Sequence, residues 1–258
     1  MASLSTSDLA VVLCHGSYHT PAPYMPLIDA LKAAGIDACC PQLPTSDLKK
    51  LNVGDANNPD FDRGPPEGGY PQGQEDADTI LSVLSPLVKQ GKRVLMIGHS
   101  SGGWVATEAA RPELQATRRR DQGLTGGVIG ILYIGAFVIP IGESIHGFFQ
   151  PKDGSFMVPP FLDFHPTAAE KWIATLTASP VLRTKLSNNA YAALPCAYLI
   201  LEEDMALPKE YQEGMVALQA QKTGDFTLYR CPSGHSPHLS WKDGTVQVIQ
   251  DFIKKVEV

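Results

Sequence analysis

Val94-Leu95-Met96-Ile97-Gly98-His99-Ser100-Ser101-Gly102-Gly103 decides how this chain folds. A compact apolar run drives straight into Gly-x-Ser-x-Gly, and a helix-forming stretch from Trp104 to Ala110 follows at once. Strand, sharp turn and helix in direct succession are the layout of a nucleophile elbow, which presents a serine at the end of a strand. Such a turn is strained and closely packed, so it needs small residues, and Gly98 and Gly102 supply them. Register separates the two serines. Ser100 has glycine two places before and two places after, whereas Ser101 has His99 in the first of those places. The helix beginning beside Ser100 aims its free N–H groups at any anion forming there.

Outward from the elbow, strand and helix patterns alternate in both directions. Leu9 to Cys14 is an apolar strand, Tyr24 to Ala34 a helix stopped by Gly35, and Ile36 to Cys40 a strand ended by Pro41. Glu75 to Gln90 is an amphipathic helix closed by Gly91, and Arg93 to Ile97 is the elbow strand. Gly127 to Ile134 and Cys196 to Leu201 are further strands. Pro208 to Gln221 reads as a helix with proline in its first turn, Phe226 to Arg230 as the last strand and Thr245 to Val256 as the last helix. The alternation predicts an α/β fold with a mostly parallel sheet of about six strands flanked by helices.

Two stretches interrupt the pattern. Thr45 to Gly73 is rich in Pro, Gly, Asn and Asp, and is long for a loop in a compact domain. Pro140 to Leu194 holds five of the nine phenylalanines: Phe148, Phe149, Phe156, Phe161 and Phe164. It reads as a helical lid insertion, with 1–139 and 195–258 forming the core around it. Most of its rings are expected to pack on one another. Phe137 and Phe149 are expected to wall a largely apolar pocket, with Tyr18 near it. That pocket should prefer an uncharged acyl group.

The bulk numbers exclude several classes. A chain of 258 residues with 43% hydrophobic and 19% charged residues is globular, and its net charge of −6 offers nothing to nucleic acid or to an anionic membrane. Arg118-Arg119-Arg120 is the one basic cluster and reads as a solvated helix face or loop. No apolar stretch is long enough to span a bilayer, and Met1 to Asp8 lacks the pattern of a secretory leader, so a cytoplasmic location is expected. The five cysteines form no Cys-x-x-Cys and are expected to be reduced and packed. No metal and no cofactor is expected; His15 and His19 lack a third ligand at suitable spacing.

A serine hydroxyl needs a base to take its proton and a carboxylate to orient that base. In a fold of this kind the chain order is Ser, then Asp or Glu, then His. His235 follows Gly234 in the loop after the last strand, and His238 is its competitor; the other five histidines precede the acids and violate the order. The strand from Ala197 to Leu201 ends in Glu202-Glu203-Asp204, and Asp204 lies deepest in the loop. Glu203 and then Glu143 are the alternatives. An oxyanion hole needs two backbone donors. The amide of Ser101 is one, and the amide of Ser17, beside Gly16 in the loop after the first strand, is the other.

From Leu9 to Val256 the chain resembles the α/β-hydrolase superfamily. It is most similar to the small plant methylesterase and hydroxynitrile lyase group and its fungal relatives. The resemblance rests on His15-Gly16-Ser17, the elbow at Ser100, Leu201-Glu202-Glu203-Asp204 with Pro208 after it, and Gly234-His235. It implies a nucleophile at Ser100, an acid at Asp204 and a base at His235. Gly234-His235-Ser236-Pro237 resembles fungal members in particular, some of which release thioesters or form lactones in secondary metabolism. The long loop and His238 depart from the group's pattern.

The expected activity is therefore hydrolysis of a small-molecule ester, thioester or lactone through an acyl-enzyme. Transfer of the acyl group to a hydroxyl of the substrate is the alternative. Cyanohydrin cleavage is disfavoured, since the resembling lyases carry lysine directly after the base and here that residue is Ser236. A non-catalytic small-molecule receptor is the remaining reading.

Overall fold

The computed structural model describes residues 8–150 and 176–256. Its strands are β1 (Leu9–Cys14), β2 (Asp37–Cys39), β3 (Gly54–Asp55), β4 (Asn58–Pro59), β5 (Arg93–His99), β6 (Gly127–Ile134), β7 (Cys196–Leu201) and β8 (Thr227–Cys231). Its helices are α1 (Met25–Ala33), α2 (Gly73–Lys89), α3 (Gly102–Ala109), α4 (Ala116–Asp121), α5 (Ile145–Phe148), α6 (Lys209–Thr223), α7 (Pro237–Ser240) and α8 (Lys242–Val256).

Six strands form one sheet in the order β2-β1-β5-β6-β7-β8, and every pairing in it is parallel. Parallel strands carry helices on both faces, which is why β1, β6 and β7 are apolar runs buried at every residue. Alternate side chains feed two cores. Val12, Met96, Tyr133 and Tyr198 pack with Ile80 and Leu84 of α2, Ala106 of α3 and Val216 of α6. Val11, Leu13, Ile97 and Leu199 pack on the other face with Leu27 and Leu31 of α1 and Ile249 and Phe252 of α8. Each such large side chain contributes about 1.5–3 kcal/mol on burial. Because all six strands run the same way, their carboxyl ends share one edge, and the loops carrying His15, Ser100, Asp204 and His235 all leave from it.

Several boundaries differ from the sequence reading. Pro208 caps α6 from outside with ψ 145°, so the helix begins at Lys209. The last helix begins at Lys242 rather than Thr245, because Gly244 lies under the Trp241 ring instead of breaking the helix. Arg119 is not simply solvated: its guanidinium donates to the carbonyls of Val88, Thr125 and Gly126 and ties α4 to the turn before β6. Arg118 and Arg120 do face solvent. The five cysteines are free thiols.

The long loop is more ordered than its composition implied. It contains the β3–β4 hairpin and turns at Pro44–Ser46 and Leu48–Lys50, and it buries Leu51 and Val53. Of the insertion, α5, a turn at Ala190–Ala192 and the extended stretch between 176 and 189 are described. Phe156, Phe161 and Phe164 lie outside the described residues. Glu108 of α3 anchors the returning chain, accepting from the amides of Ser187 and Asn188 and from the Ser187 hydroxyl.

Asp76 of α2 fastens the start of the long loop. Its carboxylate accepts from the Thr45 amide at 3.0 Å and the Thr45 hydroxyl at 2.7 Å. Burial outweighs both hydrogen bonds and raises the carboxyl from 3.8 to about 6. The folded chain therefore holds this proton more tightly than the unfolded chain. Its contribution to stability falls as pH rises between those two values, by about 3 kcal/mol at most. Asp76→Asn keeps an acceptor for the Thr45 amide and offers a donor to its hydroxyl, but cannot ionise. Urea midpoints at about pH 4 and about pH 7 should fall further with rising pH in the wild type than in Asp76→Asn. Equal changes in the two proteins would refute the linkage.

Candidate active site

Ser100 occupies the first residue beyond β5 and has φ 53°, a left-handed backbone that few non-glycine residues adopt. Three backbone hydrogen bonds hold it there. Its amide donates to Ile134 at 3.2 Å, and its carbonyl accepts from Gly103 at 3.1 Å and from Phe137 at 3.0 Å. Such strain persists only where the surroundings over-determine it. The following helix reaches this position by passing against β1. A Cβ on Gly102 would lie 2.1 Å from the Cys14 carbonyl oxygen. Gly16 meets the elbow from the other side, where a Cβ would fall 2.9 Å from the Ser100 Cβ.

Ser17 and Ser101, expected to provide the two anion-binding amides, come together across that crossing. The Ser17 hydroxyl donates to the Ser101 hydroxyl at 2.9 Å, joining the loop after β1 to the N-terminus of α3. His15 holds the same loop from beneath. It donates from Nδ1 to the Gly16 carbonyl at 2.9 Å, and its Nε2 accepts from the Leu43 amide at 3.0 Å. Burial lowers His15 to about 4, so it is neutral, and both its nitrogens serve the backbone. Among the described residues no group of His, Cys, Asp or Glu is arranged to hold a metal ion.

Asp204 and His235 meet in a direct hydrogen bond, Nδ1 to Oδ2, of 2.8 Å. Asp204 sits in the loop after β7, and its side chain has no exposed surface. Its Oδ1 accepts from the amides of Ala206 and Leu207, both at 2.9 Å, and its Oδ2 also accepts from the Gln212 side chain at 3.2 Å. Four donors thus fix the carboxylate in place. Glu202 and Glu203 are exposed. His235 leaves β8 through Ser233 and Gly234 and engages Asp204 through Nδ1, which leaves Nε2 on the other side of the ring.

His238 is the competing candidate for the base. It is buried and stacked on Tyr24, with ring centroids 4.1 Å apart and planes 14° from parallel. Desolvation lowers its pKa well below that of a free imidazole. Phe137 follows the elbow through its amide bond to Ser100, and its ring packs edge-on against Phe149 at 5.5 Å. Tyr18 has φ 63°, and its carbonyl accepts from the Thr177 amide at 2.7 Å.

Beside Ser101 lies a small cavity bounded by Asp76, Trp104, Ile145, Leu182 and Thr184. A larger cavity of about 500 Å³ opens between the long loop and the chain at 178–183, where Arg63, Tyr70 and Arg183 contribute to its walls. Residues 181–184 alternate between the two cavities: Leu182 and Thr184 face the inner one, Val181 and Arg183 the outer. Neither cavity is lined by Phe137 or Phe149.

Three participants escaped the sequence reading. Gln212 of α6 braces Asp204 and bonds the backbone at Leu201 and Leu207. Tyr24 and His99 lie beneath the elbow. Nothing in the local sequence marks Gln212. The five histidines converging on one sheet edge were a usable sign for the other two.

The chain matches the model of the alpha/beta hydrolase family over residues 11–248, and it belongs to that family. The alpha/beta hydrolase nvfD of Aspergillus novofumigatus is 25% identical to it over 262 residues, covering 94% of this chain and 95% of that one. A pyrethroid hydrolase from Sphingobium faniae superposes with a TM-score of 0.65 at 17% identity, over 95% of this chain and 96% of that one. The methylesterase MES16 from Arabidopsis superposes with a TM-score of 0.64 at 17% identity, over 95% of this chain and 99% of that one. Among the described residues no helix is long and apolar enough to cross a membrane.

Gly102→Ala tests the crossing on which this geometry rests. Its methyl group would strike backbone, which cannot rotate away. The substitution should destabilise the fold by about 3–5 kcal/mol, read as a lost or strongly lowered thermal transition. A wild-type melting temperature would disprove the close approach.

Proposed function

We propose that the protein is a cofactor-free serine hydrolase acting on an ester, thioester or lactone of a small, largely apolar molecule. The observation that carries this reading is the Asp204–His235 hydrogen bond at the same sheet edge as the strained Ser100. Ser100 attacks the carbonyl carbon while His235 takes the serine proton at Nε2. Asp204 holds the imidazole and stabilises its charged form. The amides of Ser17 and Ser101 donate to the oxyanion, and the dipole of α3 adds to their field. His235 then protonates the leaving group, and water frees the acid.

The family and the methylesterase among the structural neighbours favour an ester bond. The small inner cavity beside Ser101 is walled in part by Trp104, Ile145 and Leu182. Ile145 and Leu182 both come from the insertion, which supports its reading as a lid. The net charge of −6 argues against a nucleic-acid or anionic-membrane partner, and we place the protein in the cytoplasm.

Hydrolysis of p-nitrophenyl butyrate provides the test. Ser100→Ala should lower kcat about a thousandfold or more, and His235→Ala comparably, while both keep the wild-type fold. Ser101→Ala loses only a hydroxyl hydrogen bond and should stay within about tenfold of wild type. Asp204→Asn should lose far more activity than Glu203→Gln. An active Ser100→Ala, or a wild-type enzyme that a fluorophosphonate cannot label, would defeat the proposal.

A further inference from the structure

Beneath the elbow runs a chain of three hydrogen bonds through two side chains that the triad chemistry does not use. The Gly16 amide meets the Tyr24 hydroxyl at 3.2 Å. The same hydroxyl meets His99 Nδ1 at 2.6 Å. His99 Nε2 meets the backbone carbonyl of His235 at 2.7 Å. Both side chains are buried, at 1% exposure each.

Chemistry fixes the direction of every bond. A carbonyl only accepts, so His99 Nε2 carries hydrogen and donates to His235. Complete burial and neighbouring imidazoles hold His99 well below its usual pKa, so the ring is neutral and has one N–H. Its Nδ1 is therefore an acceptor, and the Tyr24 hydroxyl must donate to it. That hydroxyl in turn accepts from Gly16, whose N–H can only donate. Each group has one arrangement, and it agrees with the next.

We infer that Tyr24 and His99 are positioning residues for the reaction proposed above. The relay begins at Gly16, next to the Ser17 amide that receives the oxyanion. It ends on the backbone of His235, the base. It passes through His99, the residue directly before the nucleophile. One buried path thus sets three reacting groups at fixed separation, although they come from loops far apart in the chain. His238 covers the Tyr24 ring and His19 meets it edge-on at 5.8 Å, which keeps water from the bonds. The adjoining rings of His99 and His235 lie 4.8 Å apart.

The relay rests on the hydrolase reading, and its test separates the two. Tyr24→Phe preserves the ring and its stacking while removing both hydroxyl bonds. His99→Leu removes both ring nitrogens. His99→Gln restores one donor and one acceptor, spaced much like those nitrogens. With p-nitrophenyl butyrate, Tyr24→Phe and His99→Leu should lower kcat about 10- to 100-fold, with KM changed by less than about twofold. His99→Gln should recover most of the loss. Fluorophosphonate labelling of Ser100 should slow in parallel with kcat. If His99→Leu does not fold, Tyr24→Phe decides alone. A wild-type kcat and labelling rate in Tyr24→Phe, a loss confined to KM, or a His99→Gln no better than His99→Leu would overturn the inference. A wild-type protein that is not labelled at all would instead overturn the hydrolase reading.

Discussion

The backbone of α3 begins so close to the end of β1 that only a hydrogen atom fits on the facing side of residue 102. A Cβ there would overlap the carbonyls of Cys14 and His15, both of which are main chain. This contact between two backbones governs the rest of the site. It brings the loop after β1 within reach of the elbow, so the Ser17 and Ser101 hydroxyls can meet. It also fixes how far Ser100 protrudes from the sheet. Close packing of this kind is rigid, because main chain has no rotamers to relax into. The left-handed backbone of Ser100 is then held by its neighbours rather than by its own preference.

Short-range signals carried most of the fold. The apolar runs became parallel strands, and glycine or proline marked most of their ends, because burial on both faces leaves a plain composition signature. The elbow was legible for the same reason: its demands fall on consecutive residues. Asp204 and His235 were legible from loop position and chain order, and the structure brings their side chains together. What stayed hidden depends on side-chain partners that no local pattern marks. Tyr24 reaches His99 across the sheet, Gln212 reaches back to Asp204, and Arg119 serves carbonyls on three other residues. A polar side chain gives no sign in sequence of which distant carbonyl it will satisfy. The long loop misled for a related reason. Its turn-rich composition concealed Leu51 and Val53, which pack inward, and the Thr45–Asp76 clasp that pins its start.

Desolvation sorts the histidines of this site. His15 and His19 are lowered to about 4 by burial, and His99 and His238 are pushed down as well. Their rings remain neutral at ordinary pH and act as shaped polar spacers, each nitrogen either donor or acceptor but never both. His235 alone among these five is hydrogen-bonded to a carboxylate. The same edge of the sheet therefore holds one imidazole bound to a carboxylate and four that burial keeps neutral.

The stretch from Val181 to Leu186 behaves as a single extended ribbon with two dissimilar sides. Leu182 and Leu186 are locked to the chain at 142–146 by backbone hydrogen bonds, His146 to Leu182 at 3.1 Å, Leu186 to Glu143 and Gly142 to Leu186 at 2.8 Å each. In a ribbon of alternating sides, parity is inherited along its whole length. Gaining or losing one residue at its start would exchange the linings wholesale, setting a guanidinium beside Ser101 and an isobutyl group in the outer cleft. Change by substitution is free of that constraint. Each side can be altered residue by residue without disturbing the other, so the outer cleft can diverge while the space above the serine stays as it is.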